Sequence, residues 1–327
     1  MKRDFDLGPV IFVVAMIMLG VAGAVVVLRH ENAPVSQGPR HHYLDSPYQS
    51  MLFHRGQLHV QSNRGVGHAY PRDLARAYQR AGYEWVSITD QNTLTPTTQF
   101  TTPGIVPLAG AEAQFSFGRL LQFGVDTIQA PANLQAAVDV VRQQAGQVIL
   151  ARPKDPPVVT VDQIAALKGL DAMEIYDARL HHDNPVVSDA TDMWDQLLTG
   201  NHRIWGVVGD DTLEADGPLS TLGQTAVDVQ VPEVTPPLIS DAIRRGAFVD
   251  STGIRVLGVD ATSNDRIRVI TTDATSIEWY GAGGALLATT TGPDGTYTVK
   301  WTEKYVRAVA TRADGAKAWT QPVFVVP

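Results

Sequence analysis

The stretches LHVQSNRGVG (residues 58–67) and VSITDQNTL (residues 86–94) share one plan, an apolar strand that ends abruptly in polar residues. Between them lies PRDLARAYQRAGY (71–83), which has helical spacing, a proline at its start and a glycine near its end. A strand, a helix and a second strand in this order are typical of parallel sheets covered by helices. The two stretches therefore predict the beginning of an α/β fold.

The same alternation continues to about residue 250. Helical spacing returns in ANLQAAVDVVRQQAG (132–146), at 160–168, at 186–199 and in PPLISDAIRRG (236–246). Short apolar runs separated by helices predict a parallel sheet covered on both faces or a closed barrel. The predicted strands are QLHVQ (57–61), EWVSIT (84–89), IVPLAGAE (105–112), RLLQFGV (119–125), QVILA (147–151), DAMEIY (171–176) and RIWGVVG (203–209).

The pattern changes after residue 250. Alternating runs such as RIRVITTD (266–273) and GTYTVKW (295–301) follow one another through glycine and aspartate turns, without helical spacing. This pattern predicts a small antiparallel β-sandwich. We therefore place an α/β domain at 53–250 and an all-β sandwich domain at 251–327.

The N-terminal region is expected to anchor the chain in a membrane. Residues 7–28 carry no charge and are long enough to cross roughly 30 Å of hydrocarbon. A cleaved signal peptide is the alternative, but VAGA lies inside the apolar run rather than after it. We expect a cytoplasmic tail at 1–6, a single transmembrane helix at 7–28, a polar stalk at 29–52 and the large domain outside the cytoplasm.

Composition excludes several classes of function. The 327 residues carry a net charge of −8 with both signs interspersed, so a nucleic-acid partner is not expected. The chain has no cysteine, which excludes disulfides, thiolate metal sites and cysteine nucleophiles. A hydrophobic fraction of 44% with 18% charged residues is typical of globular domains rather than disordered chains.

Ionisable residues gather at the ends of the predicted strands. In a parallel βα barrel these ends form one rim, and that rim is where ligands and substrates bind. Aspartate is also common in turns, so any one of these positions has a purely structural alternative. The rim residues are His59, Asp90, Glu112, Arg152, Asp210 and Asp211.

The ordered series of motifs resembles the PHP (polymerase and histidinol phosphatase) domain family, in its membrane-bound or secreted form with a β-rich C-terminal domain. The resemblance rests on HRGQLHVQSNRGVG (54–67), SITDQNTLTP (87–96), LAGAEAQF (108–115), ILARPKD (149–155) and GVVGDDTL (206–213). It implies a distorted seven-stranded (βα) TIM-like barrel and metal-dependent phosphoester hydrolysis. In the family, two or three divalent metals are held by histidines and carboxylates, and Glu174 would be a structural, hydrogen-bonding barrel residue.

The chain departs from this family where the metals would bind. Against the family pattern, one histidine of the series survives, and the carboxylates remain. Glutamine, arginine or leucine stands where the resemblance implies the other histidines. The retained residues are His59, Asp90, Glu112, Asp210 and Asp211, and the replacements are Gln61, Gln91, Arg119, Arg152 and Leu213.

These replacements oppose a transition-metal site. A glutamine carbonyl is a weak neutral ligand, leucine cannot ligate, and arginine repels a nearby cation. We therefore expect no bound metal, with Arg119 and Arg152 supplying positive charge to Asp90, Glu112 or Asp210. We also expect that restoring histidine at 61, 91, 119, 152 and 213 together is needed to recover metal binding.

Three functions remain open from the sequence. The first is a non-catalytic binding or scaffold module, in which a small anion such as phosphate binds Arg119 and Arg152. The second is a phosphoesterase with a remodelled single-metal site holding Mg, Mn or Zn through His59, Asp90, Glu112 and Asp210. In the third, the barrel is inert and the sandwich domain binds the partner.

Overall fold

The computed structural model describes residues 42–261 and 265–326. The predicted tail, anchor and first part of the stalk lie outside these residues. Among the residues that are described, no helix combines the length and the apolar character that crossing a membrane requires. Residues 42–326 form one compact unit.

The first half of the described chain is a mixed α/β structure. Its helices are α1 (Pro71–Arg80), α2 (Leu134–Gln143), α3 (Val161–Ala166), α4 (Ala178–Asp183), α5 (Pro185–Ser188), α6 (Thr191–Thr199) and α7 (Pro236–Arg245). Its strands are β1 (Tyr43–Asp45), β2 (Phe53–Gln57), β3 (Trp85–Ile88), β4 (Val106–Phe115), β5 (Gly118–Phe123), β6 (Gln147–Ala151), β7 (Ala172–Asp177), β8 (Trp205–Gly209), β9 (Ala226–Gln230) and β10 (Phe248–Ser251).

Strands β2 to β8 follow one another in a single sheet that closes on itself. Pairs β2–β3, β3–β4, β6–β7 and β7–β8 are parallel. The segment after β8 then meets the segment after β2, because Val60 and Thr212 form a parallel bridge. Asp211 N–H donates to His59 O at 2.9 Å, and Gln61 N–H donates to Thr212 O at 3.0 Å. The result is a distorted seven-stranded ring.

Strand β5 departs from a simple βα repeat, because it runs antiparallel to both β4 and β6. Only Ser116 and Phe117 separate β4 from β5. A connection this short makes a hairpin, whereas a parallel partner requires a crossover of about a dozen residues. No helix was expected between 105–112 and 119–125, but the expectation of a parallel strand is wrong at this position.

The first predicted strand is displaced toward the N-terminus. Residues 57–61 were expected to form it, but β2 ends at Gln57. The Gln57 side chain explains the end, because its Oε1 accepts from Leu58 N at 2.8 Å and from His59 N at 3.1 Å. These two backbone N–H groups are therefore not available to pair with a neighbouring strand. Of residues 58–61, only Val60 forms a bridge, and this bridge is isolated.

The second half is the predicted β-rich domain. A three-stranded sheet and the strands of the longer sheet share one apolar core, which includes Val256, Ile267, Trp279, Tyr297 and Val306. The strands are β11 (Val256–Asp260), β12 (Arg266–Thr271), β13 (Ser276–Gly281), β14 (Ala285–Thr291), β15 (Asp294–Thr298), β16 (Tyr305–Thr311), β17 (Lys317–Thr320) and β18 (Val323–Val326).

The two halves are joined by backbone pairing. Strand β9 is antiparallel to β2, and β10 pairs with β9 on one side and with β17 on the other. The boundary predicted at 250 therefore falls inside a strand that belongs to both halves. Strand β1 lies within the predicted stalk 29–52, yet it pairs with β18, with Tyr43 opposite Val326. Leu44 packs on the sandwich core, which accounts for the order of this segment.

Candidate functional site

Nine ionisable side chains meet at the end of the ring where the parallel strands finish. We call them the mouth cluster. Strand ends place them there: His59 follows β2, Glu112 is in β4, Arg152 follows β6, and Asp177 ends β7. The carboxyl ends of parallel strands meet at one edge, so these side chains face one another. The mouth cluster is His59, Glu112, Arg119, Arg152, Asp155, Glu174, Asp177, Arg179 and Asp211.

Arg152 lies in the middle of the mouth cluster. Its Nε donates to Asp177 Oδ2 at 3.0 Å, and its Nη2 contacts Asp211 Oδ2. Its backbone N–H donates to Glu174 Oε2 at 3.0 Å. The side chain is only 7% exposed, so these charges interact with little screening by water. The guanidinium group therefore bridges two buried carboxylates.

Asp211 binds a second arginine. Its Oδ2 accepts from Arg179 Nε at 2.8 Å and from Arg179 Nη2 at 2.6 Å. Its Oδ1 is buried and makes no hydrogen bond within the described residues. Both Asp211 and Arg152 have a positive φ, of 44° and 45°. Residues other than glycine rarely adopt this conformation, and such strain concentrates at ligand and active sites.

His59 is completely buried among carboxylates. Its Nδ1 lies 2.9 Å from Glu174 Oε1, and its Nε2 lies 3.3 Å from Asp211 Oδ1 and 3.9 Å from Glu112 Oε2. Burial by itself lowers the pKa of the imidazole, but the charges and hydrogen bonds of Glu174 and Glu112 outweigh it and raise the pKa to about 10. The ring is therefore an imidazolium cation at neutral pH.

Gln61 and Gln91 bind neighbouring side chains and backbone. Gln61 Nε2 donates to Glu112 Oε2 at 2.7 Å, and Gln61 Oε1 accepts from Gln91 N at 2.9 Å. Gln91 Nε2 in turn donates to Gln114. Both side chains thus belong to a hydrogen-bonded chain that leads to Glu112.

Glu112 is held in its ionised form. Burial raises the pKa of its carboxyl group, but His59, Arg152 and Arg119 outweigh burial and lower the pKa to about 2. Arg119 contributes from a distance, since its Nε lies 4.0 Å from Glu112 Oε1. Its closer partner is Asp155, whose Oδ2 lies 2.8 Å from Arg119 Nη1.

Asp90 and Asp210 lie at strand ends as predicted, but neutral donors satisfy them. Asp90 accepts from Ser62 N at 2.5 Å and from Ser62 Oγ at 2.7 Å, and it also binds Thr95. Asp210 accepts from Tyr78, Gly223 and Thr225 at 2.6–2.9 Å. Burial raises the pKa of Asp210 to about 6, although these hydrogen bonds oppose the shift.

The expected pairing of the arginines is therefore corrected. Of the three carboxylates named as their partners, Glu112 alone comes within 4.0 Å of a guanidinium, that of Arg119. Arg152 pairs with Asp177 and Asp211 instead. The physical reason is that Asp90 and Asp210 have enough hydroxyl and backbone donors to be buried without a cation.

The sequence analysis missed three members of the mouth cluster, Asp155, Asp177 and Arg179. Asp177 carried the same signal as the predicted residues, because it directly follows the apolar run DAMEIY. It also caps α4, accepting from Leu180 N at 2.7 Å. Arg179 carried no such signal, since it lies within a short helix. The hydrogen-bonding role predicted for Glu174 is confirmed by its bonds to His59 and Arg152.

Three residues of the mouth cluster could hold one metal ion. Ligand atoms of His59, Asp177 and Asp211 all lie within 4.8 Å of one another. His59 Nε2, Glu112 Oε1 and Asp211 Oδ1 are buried and make no hydrogen bond within the described residues. Against this, Arg152 occupies both carboxylates, and an imidazolium has no free lone pair. With Arg152 in place, these residues do not fit the two-metal centre that the family resemblance implies.

The pH dependence of stability follows from His59. Because folding raises the imidazole pKa from 6.5 to about 10, its contribution is complete below pH 6.5 and is lost as the pH rises through 10. At about 1.4 kcal/mol per pKa unit, the loss is roughly 3–5 kcal/mol. Urea denaturation at pH 7 to 10 should show this decline in the wild type. His59→Gln should be less stable at pH 7 and should approach the wild type at pH 10.

The matched control is His68→Gln, since the His68 side chain is 58% exposed. This variant should follow the wild-type curve. A wild-type stability that stays constant between pH 7 and pH 10 contradicts a charged, buried His59.

Comparison with known proteins adds structural neighbours. No protein-family model and no curated protein matches the chain. A two-domain protein from Bacteroides vulgatus, described as containing a predicted PHP-like metal-dependent phosphoesterase, is 11% identical, with a TM-score of 0.48 over 88% of this chain and 91% of its own.

Two further structures match a shorter part of the chain. A lesion-specific endonuclease from Pyrococcus furiosus is 15% identical, with a TM-score of 0.45 over 59% of this chain and 56% of its own. An amidohydrolase from Chromobacterium violaceum, solved with sulfate and without metal, is 13% identical, with a TM-score of 0.42 over 58% and 96%. Similarity at this level says nothing about the chemistry of this chain.

Proposed function

We propose that this chain is a PHP-like barrel protein in which an ion-pair network has replaced the metal centre, and that it works as a non-catalytic binding or scaffold module. The observation that carries the proposal is the position of Arg152 between Asp177 and Asp211. A fixed guanidinium between two carboxylates supplies the positive charge that a metal ion would otherwise supply there. It cannot lower the pKa of a bound water as a metal does, so no hydrolytic nucleophile forms.

The charge balance of the mouth cluster supports the same proposal. Four positive groups (three arginines and protonated His59) face five carboxylates, which leaves a net charge of about −1. The arginines are therefore committed to carboxylates. A phosphate would have to displace Asp155, Asp177 or Asp211 from them, so the charge balance favours a scaffold over an anion-binding site.

A phosphoesterase with a single metal remains the second candidate. The position of His59, Asp177 and Asp211 favours it, since their ligand atoms all lie within 4.8 Å of one another. Its ligands would be His59, Asp177 and Asp211. The set expected from the sequence included Asp90 and Asp210, whose oxygens already accept hydrogen bonds from neutral donors. This candidate requires Arg152 to leave Asp177 and Asp211.

Metal content distinguishes the two candidates. Full-length protein is incubated with Zn²⁺, Mn²⁺ or Mg²⁺, passed through a desalting column and analysed by mass spectrometry for bound metal. We expect far less than one ion per chain and no hydrolysis of a generic aryl phosphodiester. About one tightly bound ion per chain that is lost in His59→Gln contradicts the proposal and supports the second candidate.

We also propose that residues 7–28 anchor the protein in a membrane, with the large domain outside the cytoplasm. The support is the uncharged apolar run, which is long enough to span the hydrocarbon core. Cell fractionation should recover the uncleaved chain with membranes until detergent is added. Protease added to intact cells should then digest the 53–327 region. Soluble, uncleaved protein refutes the anchor, and protection from protease refutes the orientation.

A further inference from the structure

Strand β14 (Ala285–Thr291) is an open edge of the longer sheet. It pairs with β13 alone, whereas β13 continues the sheet through β16. No other described strand forms a ladder with it. Ala285, Leu286, Thr289 and Thr291 are exposed, so solvent reaches the strand. One side of β14 is therefore free to pair with a further strand.

The backbone of β14 directs donors and acceptors toward this free side. Gly292 N–H donates to Thr275 O at 2.8 Å, and the adjacent pair in the ladder is Ser276 opposite Thr291. Opposite residues of an antiparallel ladder alternate between pairs that exchange hydrogen bonds and pairs that do not. The bond of Gly292 makes the pair at Thr291 one that does not. Thr291 and, two residues earlier, Thr289 therefore point their N–H and C=O groups away from β13, and neither has another backbone partner among the described residues.

This edge lacks the features by which proteins usually prevent sheets from joining. Such features are charged residues, prolines, bulges and very short strands. Residues 279–293 carry no charge, and the proline of this stretch, Pro293, follows the strand. A bulge lies in the first half of β14, where the register with β13 shifts between Trp279 and Tyr280. It leaves the ladder of residues 288–291 regular.

The other described edges of the sandwich domain differ from β14 in charge. Strands β1, β11 and β15 each pair on one side only. Each contains an aspartate, at Asp45, Asp260 and Asp294 respectively. Like charges brought together across two strands are destabilising, so an aspartate opposes pairing with an identical strand. Of these four edges, β14 is the one without such a charge.

We propose that β14 pairs antiparallel with β14 of a second copy of this chain. With the two-fold axis at Thr290, Thr289 of each copy lies opposite Thr291 of the other. Both residues direct their N–H and C=O groups to the free side, so each opposing pair can exchange two hydrogen bonds. The opposing side chains are threonines, and cross-strand threonine pairs stabilise antiparallel strands. The longer sheet would thereby continue from one copy into the other.

A second copy fits this edge better than an unrelated peptide does. Residues 279–293 offer an unrelated peptide no charge by which it could be selected. A second copy needs no such charge, because a two-fold axis brings the same strand into matching register on both sides. The pairing uses none of the mouth cluster, so it does not depend on whether the barrel mouth binds a metal.

The test uses single cysteines, since the chain has none of its own. Thr290→Cys places one thiol at the proposed axis, where the two Cα atoms would lie about 4.5 Å apart, close enough for a disulfide. Full-length protein in detergent is oxidised mildly, and the dimer is measured on a non-reducing gel. We expect a disulfide-linked dimer. The control is Thr101→Cys, at an exposed threonine outside the sandwich domain, and it should remain monomeric.

A charge placed on the edge should prevent the pairing. Thr289→Lys added to Thr290→Cys should slow disulfide formation about tenfold or more, because lysine on an edge strand opposes edge-to-edge association. Thr101→Lys in the same background should leave the rate unchanged. Thr289 and Thr101 are both exposed, so both lysine variants should fold.

Sedimentation equilibrium measures the association without a cross-link. In density-matched detergent, the wild type should form a dimer as its concentration rises, and Thr289→Lys should weaken this dimer about tenfold or more. The proposal is overturned if the wild type stays monomeric at every concentration, whatever else binds β14. It is equally overturned if Thr290→Cys forms disulfides no faster than Thr101→Cys, or if Thr289→Lys changes neither measurement.

Discussion

Replacing Arg152 with alanine is expected to lower the free energy of unfolding by about 3–5 kcal/mol, the cost of breaking a buried ion pair from one side. The side chain is 7% exposed, and its removal leaves Asp177 without its guanidinium partner. Asp211 keeps Arg179 as a partner, so Asp177 is the carboxylate that loses most of its compensating positive charge. Alanine inherits the same positive φ at this position, so backbone strain is not removed. Urea denaturation at pH 7 measures the difference.

The loss of unfolding free energy caused by Arg152→Ala should also become smaller as the pH falls from 7 toward 5. Burial raises the pKa of Asp177 to about 6 in the wild type, and Arg152 opposes the shift. Without the arginine that pKa rises further, and a folded carboxyl group with a raised pKa gains stability as it is protonated. Arg245→Ala, at an exposed pair with Asp241, is the control and should cost less than about 1 kcal/mol. An equally small loss in Arg152→Ala contradicts the buried bridge.

Replacing Arg152 with histidine is expected to create a metal site in one step. The new imidazole would join His59, Asp177 and Asp211, whose ligand atoms are already within 4.8 Å of one another. Four such ligands suit Zn²⁺. The charge also balances, because one divalent ion replaces the guanidinium and the proton of His59. Histidine is among the residues that tolerate a positive φ, so the backbone at this position accepts it.

This expectation differs from the one drawn from the sequence, in which Arg119 still repels the ion after a single change. In the structure, Arg119 Nη1 lies 2.8 Å from Asp155 Oδ2. This pairing reduces the repulsion between Arg119 and a metal ion bound beside His59. Arg152→His should bind about one Zn²⁺ per chain and release protons as it does so. Arg119→His, with its imidazole near Asp155, should bind none, and His59→Gln should abolish binding in Arg152→His. Equal zinc content in Arg152→His and the wild type refutes the expectation.

Much of the fold could be predicted because local signals carry it. Strands β3 to β8 each coincide with a predicted apolar run, and the proline and glycine around α1 mark its ends. The details that failed depend on partners far along the chain or on the direction taken by a single side chain. Strand β1 exists because β18 pairs with it, and nothing in YLD indicates that. The end of β2 depends on the Gln57 side chain folding back onto its own backbone.

The location of the candidate site could be predicted from the sequence, but the ion pairs within it could not. Strand-end position brought His59, Glu112, Arg152 and Asp211 together correctly, since it follows from the barrel architecture. Which carboxylate each arginine binds depends on competing donors such as Ser62, Thr95 and Tyr78. Those donors come from turns and helices whose side-chain directions the sequence does not reveal. Charge counting predicted correctly that arginines compensate carboxylates and that Arg119 lies near Glu112, but it gave the wrong partners for Arg152.

The pairing of β1 with β18 also bears on the order in which the chain becomes stable during synthesis. Translation proceeds from the N-terminus, so residues 43–45 leave the ribosome long before residues 324–326, their partners in the sheet. Strand β10 likewise cannot form its pairing with β17 until residues 317–320 have been synthesised. Such long-range pairing is slow, because the loop must close before the contacts form. Strands β1 and β10 therefore keep unpaired edges until β18 and β17 have emerged, and unpaired strand edges are prone to aggregation during that interval.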